Sequence, residues 1–182
     1  MPRIAPVTGK ADVPAAHHGV VDQVIKVFGG VRGPFSMLLH SPQLAERLLP
    51  LVTFFRDEST VEGKLRSVAI LAAVREREAA YVWSAQTAQA RRNGVSEAII
   101  DVLRAKGDPA GLPTDEREIV VYVRQLMRAN KVHQGAFDTL AKRHGAQWMV
   151  EMTAAASYFG MLCGVVNAFE VPAPPDGDKL PA

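Results

Sequence analysis

Apolar residues recur along this chain at three- and four-residue spacing, and no stretch alternates apolar and polar positions as a half-buried strand does. The spacing predicts helices throughout the middle of the chain. A first helix is expected over residues 15–28, closing at Gly29 and Gly30, with Gly33 and Pro34 in the following loop. Ser41 and Pro42 mark the next start, because Ser suits a helix cap and Pro the first helical position. Beyond them Leu44, Ala45, Leu48, Leu49, Val52 and Phe55 share one face. A helix over residues 61–75 carries apolar residues around most of its circumference, which predicts a central position. Helices over residues 78–92, after Ser96, and from Thr114 follow, the first of them ending at Asn93 and Gly94. A short helix over residues 134–143 and a last one over residues 146–169 complete the pattern. In that last helix Ala156, Gly160 and Gly164 lie four apart, so a neighbour can approach closely. The whole reads as an all-α, compact multi-helix bundle.

The ends differ. Residues 1–14 and 172–182 are rich in Pro and small residues and are expected to be disordered tails around one helical domain at 15–171. A chain of 182 residues suits one domain with one core. Residues 152–169 carry no charge and approach the length of a membrane span, about 18 residues or more. They include Thr153, Ser157, Tyr158 and Asn167 and lack flanking aromatic and basic anchors, so a helix buried in a core is expected and no membrane partner. The N-terminus has no continuous apolar stretch of the signal-peptide kind, and a cytoplasmic location is expected.

The formal charge is +2, with Lys and Arg interleaved among Asp and Glu, so no basic face points to nucleic acid. The single cysteine, Cys163, cannot form an internal disulfide or a two-thiol centre and sits in an apolar run that reads as core. His17 and His18 are adjacent, and His18 with Asp22 supplies only two ligands, so no metal and no cofactor are expected. Phosphate-cradling glycine motifs and the GxSxG elbow are absent.

Several segments together resemble the carboxymuconolactone decarboxylase and alkylhydroperoxidase D-like family: VRGPFSMLLHSPQLAERL, KLRSVAILAAV followed by AAYVWSAQTAQARRNGVSEAII, and GMLCGVVNAFEVP. The resemblance covers residues 28–172. It implies an all-helical domain that assembles as a homo-trimer or homo-hexamer, with pockets near the signature helices, and a cofactor-independent lyase or isomerase for a small carboxylated substrate. The departures are specific. The peroxidase branch has a CxxC pair, a histidine and a glutamate where this chain has Ala79, Val82, Gln86 and Ser67. Peroxide reduction needs an attacking thiolate, a resolving thiol and a base, so a thiol peroxidase is not expected. The decarboxylase branch shares an arginine-serine pair, Arg66 and Ser67, but has Glu and His where this chain has Val82 and Gln86.

Candidate chemistry follows from residue type. Arg32 can fork onto a carboxylate and His40 can move a proton, although each also reads as a local structural contact. Tyr81 and Trp83 differ by about 200° around their helix, so one lines a pocket while the other packs. Trp83 shares a face with Gln86, which makes these two the better pocket pair. Glu78 is the nearest carboxylate to the signature segment, in a run that also reads as a solvated charge cluster. Glu151, early in the apolar last helix, is a candidate acid if burial raises its pKa. The expected catalytic residues are thus His40, Gln86 and Glu78. The expected substrate-binding residues are Arg32, Arg66, Ser67 and Trp83. A catalytically degenerate member that binds or assembles is the alternative.

Overall fold

A computed structural model describes residues 1–181 and contains eight α-helices and no strand among them. They are α1 (His18–Phe28), α2 (Pro34–Leu38), α3 (Pro42–Asp57), α4 (Gly63–Glu76), α5 (Ala80–Arg92), α6 (Glu97–Arg104), α7 (Thr114–Ala129) and α8 (Gln134–Ala168). The elements follow the expected periodicity closely. One helix was not foreseen: α2 occupies the stretch read as a loop. There Pro34 supplies a preset first-turn φ, and Phe35, Met37 and Leu38 give the short helix a side to bury.

The central helix is α4, where all ten residues from Arg66 to Arg75 are buried. An apolar circumference leaves no polar side to face water, and α4 is accordingly packed by α5, α7 and α8. The two expected C-terminal helices form one element broken at Gly145, whose φ of 83° and ψ of 173° interrupt the helical run. A side chain would be strained there, so the glycine sets the place of the break. The apolar stretch of α8 is long enough to cross a membrane by length and composition, but just over half of it is packed inside the domain. Gly160 lies against α7, where an added Cβ would stand 3.5 Å from the Met127 sulphur. Gly164 faces no neighbour.

The terminal segments depart from expectation. Both run over the domain surface and pack against it. Val7 and Val13 are buried, the Val7 amide donates to the Ser36 carbonyl at 3.0 Å, and the Arg3 amide donates to the Phe169 carbonyl at 3.0 Å. At the other end Leu180 packs against the core. Their prolines exclude helix without excluding packing, and isolated apolar residues pin the extended chain.

Candidate functional site

The sequence of α5 divides the helix into two sides. Trp83, Thr87 and Ala90 are spaced four and three apart and are fully buried toward the core. The opposite side presents Tyr81, Ser84, Ala85, Ala88 and Arg92 to a cavity of about 600 Å³. The other walls come from the end of α1 and the Gly33 loop, the end of α3, the first turns of α4, and Phe159 and Leu162 of α8. Pro174 of the C-terminal segment completes the lining.

Four guanidinium groups reach this wall, from Arg32, Arg56, Arg66 and Arg92, and no carboxylate does. Arg56 is neutralised by Asp57, which accepts from its Nε and Nη2 at 2.9 Å each. The other three form no ion pair among the described residues. Arg32 donates to the Phe28 carbonyl at 2.6 Å. Arg92 donates to Gln89 Oε1 at 2.7 Å. Arg66, only 9% exposed, spends its fork on backbone, donating to the carbonyls of Val61 at 2.7 Å and Arg56 at 3.2 Å. Burial lowers its affinity for the proton, and the charge of Asp57 offsets part of that. Its guanidinium stays charged all the same.

A hydrogen-bonded chain runs along the same wall. Gln89 Nε2 donates to Asn93 Oδ1 at 3.1 Å, and Asn93 Nδ2 donates to Ser67 Oγ at 2.9 Å and to the Gly63 carbonyl at 3.2 Å. Ser67 therefore receives a bond from Asn93 and can donate its own proton to a ligand. Gln86 also lines the cavity.

Of the residues expected from sequence, the structure brings Arg32, Arg66, Ser67 and Gln86 together on this wall. It places the other three elsewhere. Trp83 is fully buried, with its indole N–H unpartnered and the Arg104 guanidinium 6.0 Å from its ring centroid. Tyr81, not Trp83, takes the pocket side of α5. His40 is exposed and its Nε2 lies 2.9 Å from the Ala5 carbonyl, pinning the N-terminal segment. Glu78 is exposed and ion-paired with Arg75 and Lys106. Burial pushes its carboxyl up, but the bond from Lys106 and the two positive charges outweigh that and hold it below the usual range. Glu151 is an ionised structural carboxylate rather than an acid with a raised pKa. Burial acts upward on it, yet donors from Gln147, Thr60 and Ser59 prevail and lower it.

Sequence reasoning passed over Arg56, Gln89 and Arg92, and took Asn93 only as a helix stop. The available signal was the core stripe Trp83, Thr87 and Ala90, which fixes the opposite side of α5 as the free one. Cys163 is fully buried outside the cavity, and burial pushes its thiol up to about 12. It is inert as a nucleophile at neutral pH.

The C-terminal segment is latched over α5. Asp178 accepts from Arg91 Nη1 at 2.5 Å and Nη2 at 2.9 Å, and from Arg104 Nη2 at 3.2 Å. Gly177 passes so close to Ser84 that an added Cβ would lie 2.8 Å from the serine Cβ. The Arg91 bonds hold Asp178 below the usual aspartate range. Asp178→Asn should therefore free this segment while lowering global stability by only about 1 kcal/mol, since the pairs are partly exposed. Hydrogen exchange checks it: the Gly177 amide, bonded to the Pro174 carbonyl at 3.1 Å, should lose protection while α4 amides keep theirs.

No family model and no curated protein matches the chain by sequence. Solved structures match over nearly its whole length. An uncharacterised peroxidase-related protein from Ralstonia eutropha JMP134, with an alkylhydroperoxidase D core, superposes with a TM-score of 0.74 at 15% identity, over 95% of each chain. A debrominase, as a cysteine-to-alanine variant in complex with 2,3,4-tribromopyrrole, superposes with a TM-score of 0.73 at 17% identity, over 96% of this chain and 95% of that one. A protein of unknown function from Agrobacterium tumefaciens gives 0.66 at 16% identity, over 76% of this chain and 96% of that one. The chain has the all-α alkylhydroperoxidase D-like fold.

Proposed function

We propose that the cavity binds a small carboxylated organic anion and that the protein is a cofactor-independent lyase or isomerase acting on it by proton transfer. The observation that carries this reading is the wall itself. Three guanidinium groups without an ionic partner and no carboxylate face a space of about 600 Å³, within the range of about 300–1,000 Å³ that small-molecule sites occupy. Arginine forks recognise carboxylates bidentately, and no protein carboxylate pairs with Arg32, Arg66 or Arg92 among the described residues. Ser67 and Gln86 add donors that orient the ligand.

The alternative, a degenerate member that only binds, draws on the absent inherited acid, base and thiols. A titratable phenol on the wall, that of Tyr81, favours the enzyme. No thiol chemistry is proposed for this chain, because Ala79 and Val82 are not thiols and Cys163 is sealed in the core. The reading keeps a homo-oligomer. Val150, Ala154, Ser157, Met161 and Gly164 form an exposed, charge-free stripe along α8, of the kind that marks association surfaces.

A thermal-shift screen against mono- and dicarboxylates and their methyl esters tests the binding. A ligand at a hundred times its Kd should add about 2.7 kcal/mol of stability. Arg32→Ala should weaken that ligand about tenfold, which is about 1.4 kcal/mol, and the neutral esters should be silent. Esters that stabilise as well as acids would sink the carboxylate reading. His40→Ala, at a residue that does not line the cavity, should leave the ligand response intact.

A further inference from the structure

The arginine-lined cavity holds one group able to give up a proton. Guanidinium groups keep theirs at any ordinary pH, and no Asp, Glu, His or Cys reaches the wall. What remains is the phenol of Tyr81 at the first turn of α5. We propose that Tyr81 is the catalytic acid of this cavity, delivering its phenolic proton to an enolate formed from a substrate whose carboxylate Arg32 holds. The proposal rests on the carboxylate reading of the site.

The position of the ring is built rather than incidental. It lies against Gly33, where an added Cβ would stand 2.7 Å from Cζ and 3.0 Å from the hydroxyl oxygen. Gly33 has a φ of 59° and a ψ of −140°, which only glycine adopts without strain. A backbone conformation restricted to glycine and the absence of a side chain thus coincide at the one place where the phenol needs room. The Tyr81 hydroxyl makes no hydrogen bond among the described residues. The other two tyrosines do: Tyr122 pairs with Thr153 at 2.8 Å and Tyr158 donates to the Leu48 carbonyl at 3.0 Å. Burial pushes the Tyr81 phenol up, so it is protonated at neutral pH, and the positive charge of Arg32 acts the other way. That charge stabilises the phenolate left after the proton has gone.

The chemistry balances without an oxidant. In a substrate that carries, besides the carboxylate held by Arg32, a second one β to a carbonyl, the bond to this second carboxyl carbon breaks and carbon dioxide leaves. The bonding pair stays behind as the enolate. Tyr81 hands its proton to the enolate carbon and becomes phenolate, and water returns a proton to it. Gln86 and Ser67 are neutral donors to the enolate oxygen, a stabilisation that grows as charge develops.

Calorimetric titration with two dianions separates the possibilities. Malonate presents carboxylates alone, and oxalate, planar and charge-delocalised, puts an oxygen where the enolate carbon would stand. Wild type should bind both, and Arg32→Ala should weaken both. Tyr81→Phe keeps the ring and its packing against Gly33. It should leave malonate within about twofold and weaken oxalate about tenfold or more, the loss of one hydrogen bond to a charged oxygen. In unmodified protein, oxalate should also move one tyrosinate absorbance transition to higher pH, which needs no variant to fold. If wild type binds neither dianion, the carboxylate reading fails and the assignment of Tyr81 fails with it. If both bind and Tyr81→Phe changes them equally or not at all, or oxalate moves no tyrosine transition, the cavity reading stands and the role of Tyr81 is overturned.

Discussion

Glu151→Ala should lower the stability of the protein by about 2 kcal/mol, since removing a charged carboxylate that accepts several part-buried hydrogen bonds costs more than losing a neutral bond does. Its Oε2 accepts from the Thr60 amide at 2.6 Å, Thr60 Oγ1 at 3.0 Å and Ser59 Oγ at 2.9 Å, and its Oε1 accepts from Gln147 Nε2 at 2.8 Å. One side chain on α8 thereby fixes the turn between α3 and α4. The effect extends to the cavity. Ser59 Oγ accepts from the Val61 amide at 3.1 Å, and the Val61 carbonyl accepts from Arg66 at 2.7 Å. Loss of Glu151 loosens the anchor of a cavity guanidinium more than one residue away. Urea denaturation checks this: the midpoint should fall with the slope unchanged. The contribution depends on pH in a definite direction. The folded-state pKa of Glu151 is lowered, so its stabilisation is complete above the ordinary glutamate range and is lost as pH falls through the folded value. The gap between wild type and Glu151→Ala should therefore close in acid. A loss below about 1 kcal/mol, the worth of a single ordinary hydrogen bond, would mean that the turn holds itself.

The same residue shows where sequence reading succeeds and where it stops. Its place in an apolar helix marked it as a carboxylate needing a partner, and that much is a matter of periodicity. The partners are Ser59 and Thr60, about ninety residues earlier, and no local pattern announces them. With Gln147, one turn earlier on the same helix, they reverse the direction that burial alone gives the pKa. Helices were legible because each buries one side, and α4 was legible as central because it buries all sides. On α5 the choice between Tyr81 and Trp83 turned on which side faces a void, and helical spacing from Gln86 favoured the wrong one. The buried triplet Trp83, Thr87 and Ala90 holds that information, but only once the packing of α5 against α4 and α8 is known. Arg66, Ser67 and Gln86 were found from the resemblance and Arg32 from its residue type beside a loop, and the four do share a wall. Glu78 and His40 were selected for their chemistry, and long-range contacts with Lys106 and Ala5 occupy them instead. The tails were misread for a related reason. Composition reports the absence of helix, whereas Val7, Asp178 and Leu180 pack through contacts distant in sequence.

Gly33→Ala should cost about 3 kcal/mol, through backbone strain of about 1–2 kcal/mol and overpacking of similar size. The strain arises because φ is 59° and ψ is −140° at the start of α2, where a Cβ is disfavoured whatever surrounds it. The overpacking arises because that Cβ would stand 2.7 Å from the Tyr81 Cζ. A double-mutant cycle separates the two. Placed in a Tyr81→Ala background, Gly33→Ala should cost only the strain, about 1–2 kcal/mol, because the ring it would strike is gone. Equal costs in both backgrounds would show that Tyr81 does not fill the space beside Gly33. The functional consequence follows from the same contact. In the single variant the ring must swing away, since the far end of a tyrosine yields more readily than a helix start. Its hydroxyl then leaves the cavity while Arg32, Arg66 and Ser67 remain. Gly33→Ala should consequently reproduce the ligand profile of Tyr81→Phe, with malonate retained and oxalate weakened, although the phenol is still present in the chain. That outcome would tie the site to the position of the hydroxyl rather than to its existence, which is what a built catalytic group requires.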